Sequence, residues 1–197
     1  MLFQDLVNKT IEKDKPYIGF EFLREKVVLH HAGLGKVETW AINYPAPNGE
    51  AIWLLGEAQR TSGYDEEFFD AKIPFCSSLK TDKKELEYKL TKELCHAFDP
   101  KAARTDSRDK FKTLVKEIQN KPLEGTESPM YKSEPSKRWM AAILLCPKKF
   151  RDQFKPIYDQ KDIEDYELAE IFKVPEWVMP WVMDDYFDEV YEIFMRS

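Results

Sequence analysis

The chain has 197 residues and a mass of 23.3 kDa, a length that predicts one compact domain with a core of its own. Hydrophobic residues make up 43% and charged residues 34%, which excludes a wholly disordered chain. The net charge of −6 provides no general attraction to nucleic acid, and the 7 glycines argue against a Gly-rich nucleotide loop.

The cysteines and the chain termini bear on the cellular compartment. Cys76, Cys95 and Cys146 are widely spaced and odd in number, so they predict no disulfide framework and favour a reducing compartment. The N-terminal segment is amphipathic, without the apolar region of a signal peptide, and the apolar run over 141–146 is far shorter than a membrane span. We therefore expect a cytoplasmic protein that has neither a membrane nor nucleic acid as a partner.

The first part of the chain is predicted to hold one helix followed by strands. Apolar residues at helical spacing predict a helix over 1–13. Stretches rich in β-branched and aromatic residues predict strands at 17–22, 26–31, 36–43, 51–55 and 73–77, with a polar excursion over 59–72. Asn48-Gly49 predicts a hairpin turn between 36–43 and 51–55. We expect a small, mostly antiparallel sheet.

The remainder of the chain is predicted to be helical. A helix from residue 82 to about 98 begins at Asp82, with Glu85 three residues later as in a capping box, and ends before Pro100. Further helices are expected at 106–120, 134–146, 147–155 and, as three short ones, after residues 162, 175 and 184. Strands first and helices later predict an α+β fold.

The helix over 83–98 combines an apolar stripe with charged groups. At about 100° per residue, Glu93 falls inside the stripe formed by its leucines, where a carboxylate is costly unless it is paired. Lys92 and His96, four residues apart, share the side of the helix next to Glu93. The three side chains are therefore expected to converge at the edge of the core. The alternative is that His96 is solvated and that Glu93 reaches out of the stripe.

The five residues Lys92–His96 differ at one position from the zinc-protease motif H-E-x-x-H. In that motif two histidines at i and i+4 bind zinc, and the intervening Glu is the general base for the zinc-bound water. A charged lysine has three donors and no free lone pair, so Lys92 repels a cation where the first histidine would bind one.

Three segments resemble ImmA/IrrE-type metallopeptidases in order along residues 73–183. The stretch SSLKTDKKELEYKLTKELCHAF (77–98) is similar to the active helix, and SEPSKRWMAAILLCPKKF (133–150) to the second motif. DYELAEIFKVPEWVMPWVM (165–183) resembles the closing helix-turn-helix-like pair. The resemblance implies a zincin-like fold, Glu93 as the catalytic general base, His96 and Glu134 as metal ligands, and zinc as the cofactor. It also implies a protein substrate or a regulatory protein partner, in a mobile-element or stress context.

This chain departs from the family pattern at the site itself. Lys92 stands at the position of the lost first ligand, and Cys95 replaces a small glycine. Lys137 and Arg138 replace the Ala-Asn that follows the ligand glutamate. With two of three ligands left, we expect no bound metal, since open catalytic zinc sites normally keep three protein ligands.

Several hypotheses remain open from the sequence. The first is a pseudo-enzyme in which the Lys92 ammonium pairs with Glu134 or Glu93. The second is a zinc protease. In one form, Lys92 is an inactivating change in an otherwise active enzyme; in the other, the enzyme is active and His30 or His31 serves as a rescue ligand. The others are a non-catalytic interaction module that uses the old substrate cleft, and an unrelated α+β domain in which the motif is a coincidence.

We predict a zincin-like domain over 1–155 and a helical subdomain over 156–197, helix-turn-helix-like and packed on the first. Residues 175–197 hold one arginine and no lysine against six acidic residues, which makes a poor phosphate-binding face. A structural or protein-binding role is therefore expected for this end of the chain.

Overall fold

The computed structural model describes residues 1–43, 50–59, 67–120 and 125–196, and over these ranges the fold is α+β. Its elements in chain order are α1 (Phe3–Glu12), α2 (Phe20–His30), β1 (Leu34–Ile42), β2 (Leu54–Gln59), β3 (Phe68–Cys76), α3 (Lys83–Leu94), α4 (Arg108–Asn120), α5 (Pro129–Leu145), α6 (Lys148–Asp159), α7 (Asp165–Phe172), α8 (Met179–Met183) and α9 (Tyr186–Arg196). Helices therefore dominate after the sheet, as expected.

The two strands predicted at 17–22 and 26–31 are wrong, because most of this stretch is helix α2. Phe20, Leu23 and Val27 lie at i, i+3 and i+7, and all three are buried on one face of the helix. The β-branched and aromatic residues that suggested strands therefore serve a helical face, since burial overrides their local preference.

The sheet is mixed, with the order β1-β3-β2, and so is not mostly antiparallel. Strand β1 pairs with β3 in parallel and β2 pairs with β3 antiparallel, so the hairpin predicted between 36–43 and 51–55 is wrong. Asn48-Gly49 itself lies outside the described residues. Strand β3 takes the central place because its last residues, among them Ile73 and Phe75, are buried one after another.

Helix α3 begins as predicted. The Asp82 carboxylate accepts a hydrogen bond of 3.0 Å from the backbone N–H of Glu85, which caps the first turn. The α-helix ends at Leu94, earlier than predicted, and continues as a 3-10 turn over Cys95–Phe98. Residue 96 therefore lies on this tighter turn.

Helix α5 begins five residues before its predicted start. Ser128 is its N-cap, and the Ser128 hydroxyl accepts a hydrogen bond of 3.1 Å from the backbone N–H of Tyr131. Helix α5 packs against α3, and its last six residues, 140–145, are all buried. These two helices carry the side chains of the candidate site.

One hydrophobic core includes residues of the sheet, of α3 and α5, and of the C-terminal helices. Helix α6 runs through the boundary predicted between 155 and 156, and the division into a domain and a subdomain stays a prediction. All three cysteines are buried, and none of them forms a disulfide bond. Among the described residues, no helix has the length and apolar character needed to cross a membrane.

Candidate functional site

Six ionisable side chains meet where the C-terminal end of α3 packs on the first half of α5. Helix α3 supplies two of them, the 3-10 turn and the residue after it supply two, and α5 supplies two. We refer to this group as the charge cluster: Lys92, Glu93, His96, Asp99, Glu134 and Lys137.

The ammonium of Lys92 lies between two carboxylates. Its Nζ is 2.8 Å from Oε1 of Glu93 and 2.7 Å from Oε2 of Glu134. The Lys92 side chain is 19% exposed and that of Glu134 21%, so the pairs are mostly shielded from water. The contact between Lys92 and a carboxylate, expected under the pseudo-enzyme hypothesis, is present with both partners.

One ring nitrogen of His96 is bound by the Asp99 carboxylate, and the other faces the carboxylates of Glu134 and Glu93. Its Nδ1 lies 2.7 Å from Oδ2 of Asp99, while Nε2 lies 3.3 Å from Oε1 of Glu134 and 3.8 Å from Oε2 of Glu93. Metal-binding histidines are commonly oriented in this way, by a carboxylate on the ring nitrogen that does not face the metal. Asp99 therefore fixes the ring in the orientation that a ligand histidine needs.

The predicted general base, Glu93, is buried and both of its oxygens are engaged. Oε1 accepts from Lys92, and Oε2 accepts a 2.8 Å hydrogen bond from the backbone N–H of Trp53, just before β2. Glu93 is 5% exposed, so the sequence-based expectation that it faces the core is confirmed. Its carboxylate joins the sheet to α3.

A second lysine completes the charge cluster on its inner side. Lys137 is 4% exposed, and its Nζ lies 2.5 Å from Oδ1 of Asp99. Asp99 was not singled out from the sequence, and Lys137 was noticed only as a departure from the family pattern. Asp99 follows His96 by three residues and Lys137 follows Glu134 by three, a spacing that becomes informative only once His96 and Glu134 are known to meet.

The electrostatics of the charge cluster keep its cations charged. Burial alone would lower the pKa of His96, but its hydrogen bonds to Asp99 and Glu134 and the carboxylate charges raise the pKa to about 9. Burial likewise opposes the charge of Lys92, yet Glu93 and Glu134 hold the Lys92 pKa above its usual range. With His96 protonated, three positive groups balance three carboxylates at neutral pH.

Glu134 is held as a carboxylate. Burial would raise its pKa, but the hydrogen bond with His96 and the charge of Lys92 outweigh burial and hold the pKa well below its usual range. The ionised form of Glu134 thus depends on two cationic neighbours.

The donor set does not fit a catalytic zinc ion. His96 Nε2 and Glu134 remain as potential ligands, while the third position holds Lys92, whose ammonium has no lone pair to give. Among the described residues, no three or more His, Cys, Asp or Glu side chains are arranged to hold a metal ion.

The structure does not bring the candidate rescue ligands to the charge cluster. His30 is exposed at the end of α2, and the ring of His31 packs edge-on against Phe98 at 5.8 Å between centroids. Cys95 is fully buried, and burial raises the pKa of its thiol to about 12, so no thiolate forms near neutral pH.

No protein-family model, curated protein or solved structure matches the chain. The resemblance to ImmA/IrrE-type metallopeptidases therefore stays a prediction, and the functional argument depends on the residues of the charge cluster.

Proposed function

We propose that this protein is a catalytically inactive relative of ImmA/IrrE-type metallopeptidases that acts by binding a regulatory protein partner. The observation that carries the proposal is the Lys92 ammonium, hydrogen-bonded to both Glu93 and Glu134 beside an oriented His96. In this proposal an amine stands where a zinc ion stands in active relatives, and the context is that of a mobile element or a stress response.

The charge balance supports replacement of a divalent ion. Lys92 and Lys137 carry two positive charges into the charge cluster, and both stand at positions where the sequence departs from the metallopeptidase pattern. Buried carboxylates are destabilising without a cation or hydrogen bonds. A pair of lysines supplies the two positive charges that a zinc ion would have contributed, and this accounts for Glu93, Asp99 and Glu134 being tolerated together.

The chemistry available to the charge cluster argues for binding rather than hydrolysis. A general base must reach the proton that it removes, directly or through one water, and both oxygens of Glu93 are already engaged. Lys92 is no substitute base or nucleophile, because its raised pKa keeps the ammonium protonated. The proposal therefore assigns partner binding to the surface around the charge cluster.

Zinc titration in competition with a chromophoric chelator tests the proposal. The wild-type protein is expected to bind no stoichiometric zinc. The double substitution Lys92→His with Lys137→Met, which restores a ligand and removes the second ammonium, is expected to raise zinc affinity at least about 100-fold. Adding His96→Ala to that variant serves as the control, and it should abolish the gain.

Two results would contradict the proposal. One is stoichiometric zinc in the wild-type protein that disappears in His96→Ala. The other is peptidase activity of the wild-type protein that Glu93→Gln removes. If the double variant binds no zinc, the likeness of residues Lys92–His96 to the zinc-protease motif is a coincidence in an unrelated α+β domain. The metallopeptidase ancestry would then be wrong.

A further inference from the structure

The most deeply buried ion pair of the charge cluster joins Asp99 and Lys137, which are 3% and 4% exposed. Nζ of Lys137 lies 2.5 Å from Oδ1 of Asp99. The two residues lie on different elements, Asp99 directly after the 3-10 turn over Cys95–Phe98 and Lys137 on α5. Their contact therefore forms only when α3 and α5 have packed together.

The contact between these two side chains differs from a directed hydrogen bond. Within the described part of the chain, the buried Oδ1 of Asp99 has no partner in hydrogen-bonding geometry, although Nζ of Lys137 is 2.5 Å away. The hydrogen bonds of Nζ there are long, at 3.4 Å to Oγ of Ser136 and 3.9 Å to Sδ of Met140. The nitrogen thus lies against the carboxyl group without the short hydrogen bonds that offset the burial of an ammonium.

Neighbouring groups hold Asp99 in place. Its backbone N–H donates to the carbonyl of His96 at 3.1 Å, and its own carbonyl accepts a 3.1 Å hydrogen bond from Nε of Arg104. The second carboxylate oxygen, Oδ2, lies 2.7 Å from Nδ1 of His96. An amine therefore stands at one carboxylate oxygen and an imidazole at the other, in a fixed arrangement that favours reaction because little further ordering is needed.

An exposed pair of the same two residue types shows the contrast. Nζ of Lys155 hydrogen-bonds to both carboxylate oxygens of Asp159, at 2.5 and 2.7 Å. The Asp159 side chain is 54% exposed, so water competes for the pair. Lys155 and Asp159 form an ordinary surface ion pair, which water keeps in its charged form.

We propose that Lys137 and Asp99 condense to an amide after the chain has folded, which makes this pair a site of self-modification. The amide joins Nζ of Lys137 to Cγ of Asp99, one bond beyond the oxygen that Nζ already contacts. The overall step converts an ammonium and a carboxylate into an amide and one water molecule, and it needs no oxidant, reductant or further reactant.

Each proton of the Lys137 ammonium is accounted for. One passes to Oδ1 of Asp99, which gives for a short time the neutral amine and acid that burial favours. The Nζ lone pair then forms the bond to Cγ, while His96 donates a hydrogen bond to Oδ2 and stabilises the negative charge that develops there. The Cγ–Oδ1 bond breaks, and Oδ1 leaves as water with a second proton from Nζ. The third proton stays on the amide nitrogen.

Burial provides the driving force for the condensation. In bulk water hydrolysis opposes amide formation, whereas a closed site excludes water and penalises both charges of an ion pair. The amide removes one positive and one negative charge, so Lys92 and His96 still balance Glu93 and Glu134. The amide is therefore compatible with the proposed function and does not depend on it.

Mass spectrometry of the denatured wild-type protein tests the proposal. Most molecules should be lighter than the sequence mass by one water molecule. Trypsin should then release a branched peptide in which residues 93–101 are joined to 133–138 through Lys137, because an acylated lysine is not cleaved. The peptide 152–161, which contains Lys155 and Asp159, is the internal control and should keep its full mass.

Matched variants assign the loss of water. Lys137→Met and Asp99→Ala should each restore the full sequence mass, whereas Lys155→Met should leave the loss unchanged. His96→Phe should slow the loss at least about tenfold when it is followed after cell-free synthesis, because the group that stabilises the charge on Oδ2 is removed. Circular dichroism checks that each variant retains the fold.

The proposal is overturned by a folded wild-type protein at its full sequence mass. It is also overturned by a loss of water that persists in Lys137→Met, since cyclisation of an aspartate would then account for the loss. An unchanged rate in folded His96→Phe would contradict the step assigned to His96. Zinc titration is read separately: stoichiometric zinc in the wild-type protein contradicts the proposed function, whereas a full sequence mass removes only the amide.

Discussion

Two of the charged side-chain networks among the described residues are built differently. The charge cluster joins α3 to α5 almost entirely through contacts between side chains. The second network joins α6 to the segment around α8 and α9. It is centred on Arg151, which is 3% exposed, and we call it the Arg151 network: Arg151, Lys148, Asp152 and Asp188.

The Arg151 network is tied to the backbone. Arg151 donates through Nε to the carbonyl of Val182 at 3.0 Å and through a terminal nitrogen to the carbonyl of Asp184 at 2.9 Å. Its other terminal nitrogen lies 2.9 Å from the Asp188 carboxylate. These bonds satisfy main-chain acceptors near the end of α8 and so fix the path of the chain between α8 and α9.

The comparison indicates what each network is for. Removing Arg151 leaves backbone acceptors without donors, so the fold itself requires that side chain. A buried ion network between side chains, in contrast, is often replaceable by apolar residues at no cost in stability. The charge cluster therefore needs a reason beyond stability, and descent from a metal site supplies one.

Breaking the charge cluster at Lys92 is expected to have the largest effect. Lys92→Met should lower the free energy of unfolding by about 3–5 kcal/mol, because Glu93 and Glu134 lose a shared cation while buried. Adding Glu134→Gln should recover part of that loss. Urea denaturation measures both changes, with Lys83→Met as a control at a side chain that is 81% exposed. A loss below about 1 kcal/mol for Lys92→Met would contradict the account.

The second-largest effect is expected in the pH dependence of stability. It distinguishes the two networks because only the charge cluster contains a histidine. The pKa of His96 is raised from 6.5 to about 9, so its contribution is complete below pH 6.5 and is lost as the pH rises towards 9. The shift corresponds to about 3 kcal/mol over that window. Burial lowers the pKa of His31, whose contribution is therefore complete above pH 6.5. Burial raises the pKa of the Cys95 and Cys146 thiols above the ordinary value of 9.0, so these thiols reduce stability only as the pH approaches 9 and beyond. The change between pH 6.5 and about pH 8.5 is therefore assigned to His96.

Denaturant midpoints measured between pH 6 and about pH 8.5, below the range in which the thiols of an unfolded chain ionise, report this loss. In His96→Gln the same alkaline decline should be absent. Equal slopes for the two proteins would show that His96 is neutral in the folded state, contrary to the charge balance described above.

A conservative change at Arg151 is expected to have a smaller but definite effect. Arg151→Lys keeps the charge but cannot reach both carbonyl groups and Asp188 in the same fixed geometry. The free energy of unfolding should fall by about 2 kcal/mol. Full stability in Arg151→Lys would mean that the network acts as point charges only, and the contrast with the charge cluster would disappear.

The smallest expected effect comes from the cap of the helix that carries Lys92. Asp82→Ala removes one acceptor for the backbone N–H of Glu85 and should cost about 1 kcal/mol. The titration of His96 should not change, because Asp82 is nearly four turns away on α3. A shifted His96 pKa in this variant would show that fraying of α3 reaches the charge cluster.

The fold was predictable where local signals agree with burial. Asp82 marked the start of α3, and the helices after β3 follow the predicted order. Helix α2 and the central place of β3 were missed, because the pairing of strands and the burial of a helix face are decided by the assembled core rather than by local preference.

The sequence predicts Lys92, Glu93, His96 and Glu134 as residues of the candidate site. It does not predict Asp99 and Lys137, the more deeply buried members of the charge cluster. Asp99 and Lys137 joined the charge cluster only when α3 and α5 were seen to pack, since nothing local announces an ion pair between two residues 38 positions apart. The spacing of three residues from His96 and from Glu134 becomes informative only once those two side chains are known to meet.

The nitrogen NMR signals of His96, recorded at pH 7.5 before and after addition of zinc, test the central claim most directly. The account predicts an imidazolium with both ring nitrogens protonated and signals that zinc leaves unchanged, because Lys92 holds the carboxylates and Asp99 and Glu134 hold the ring. A neutral ring whose Nε2 signal shifts on addition of one equivalent of zinc would contradict it, since His96 would then be a functioning metal ligand.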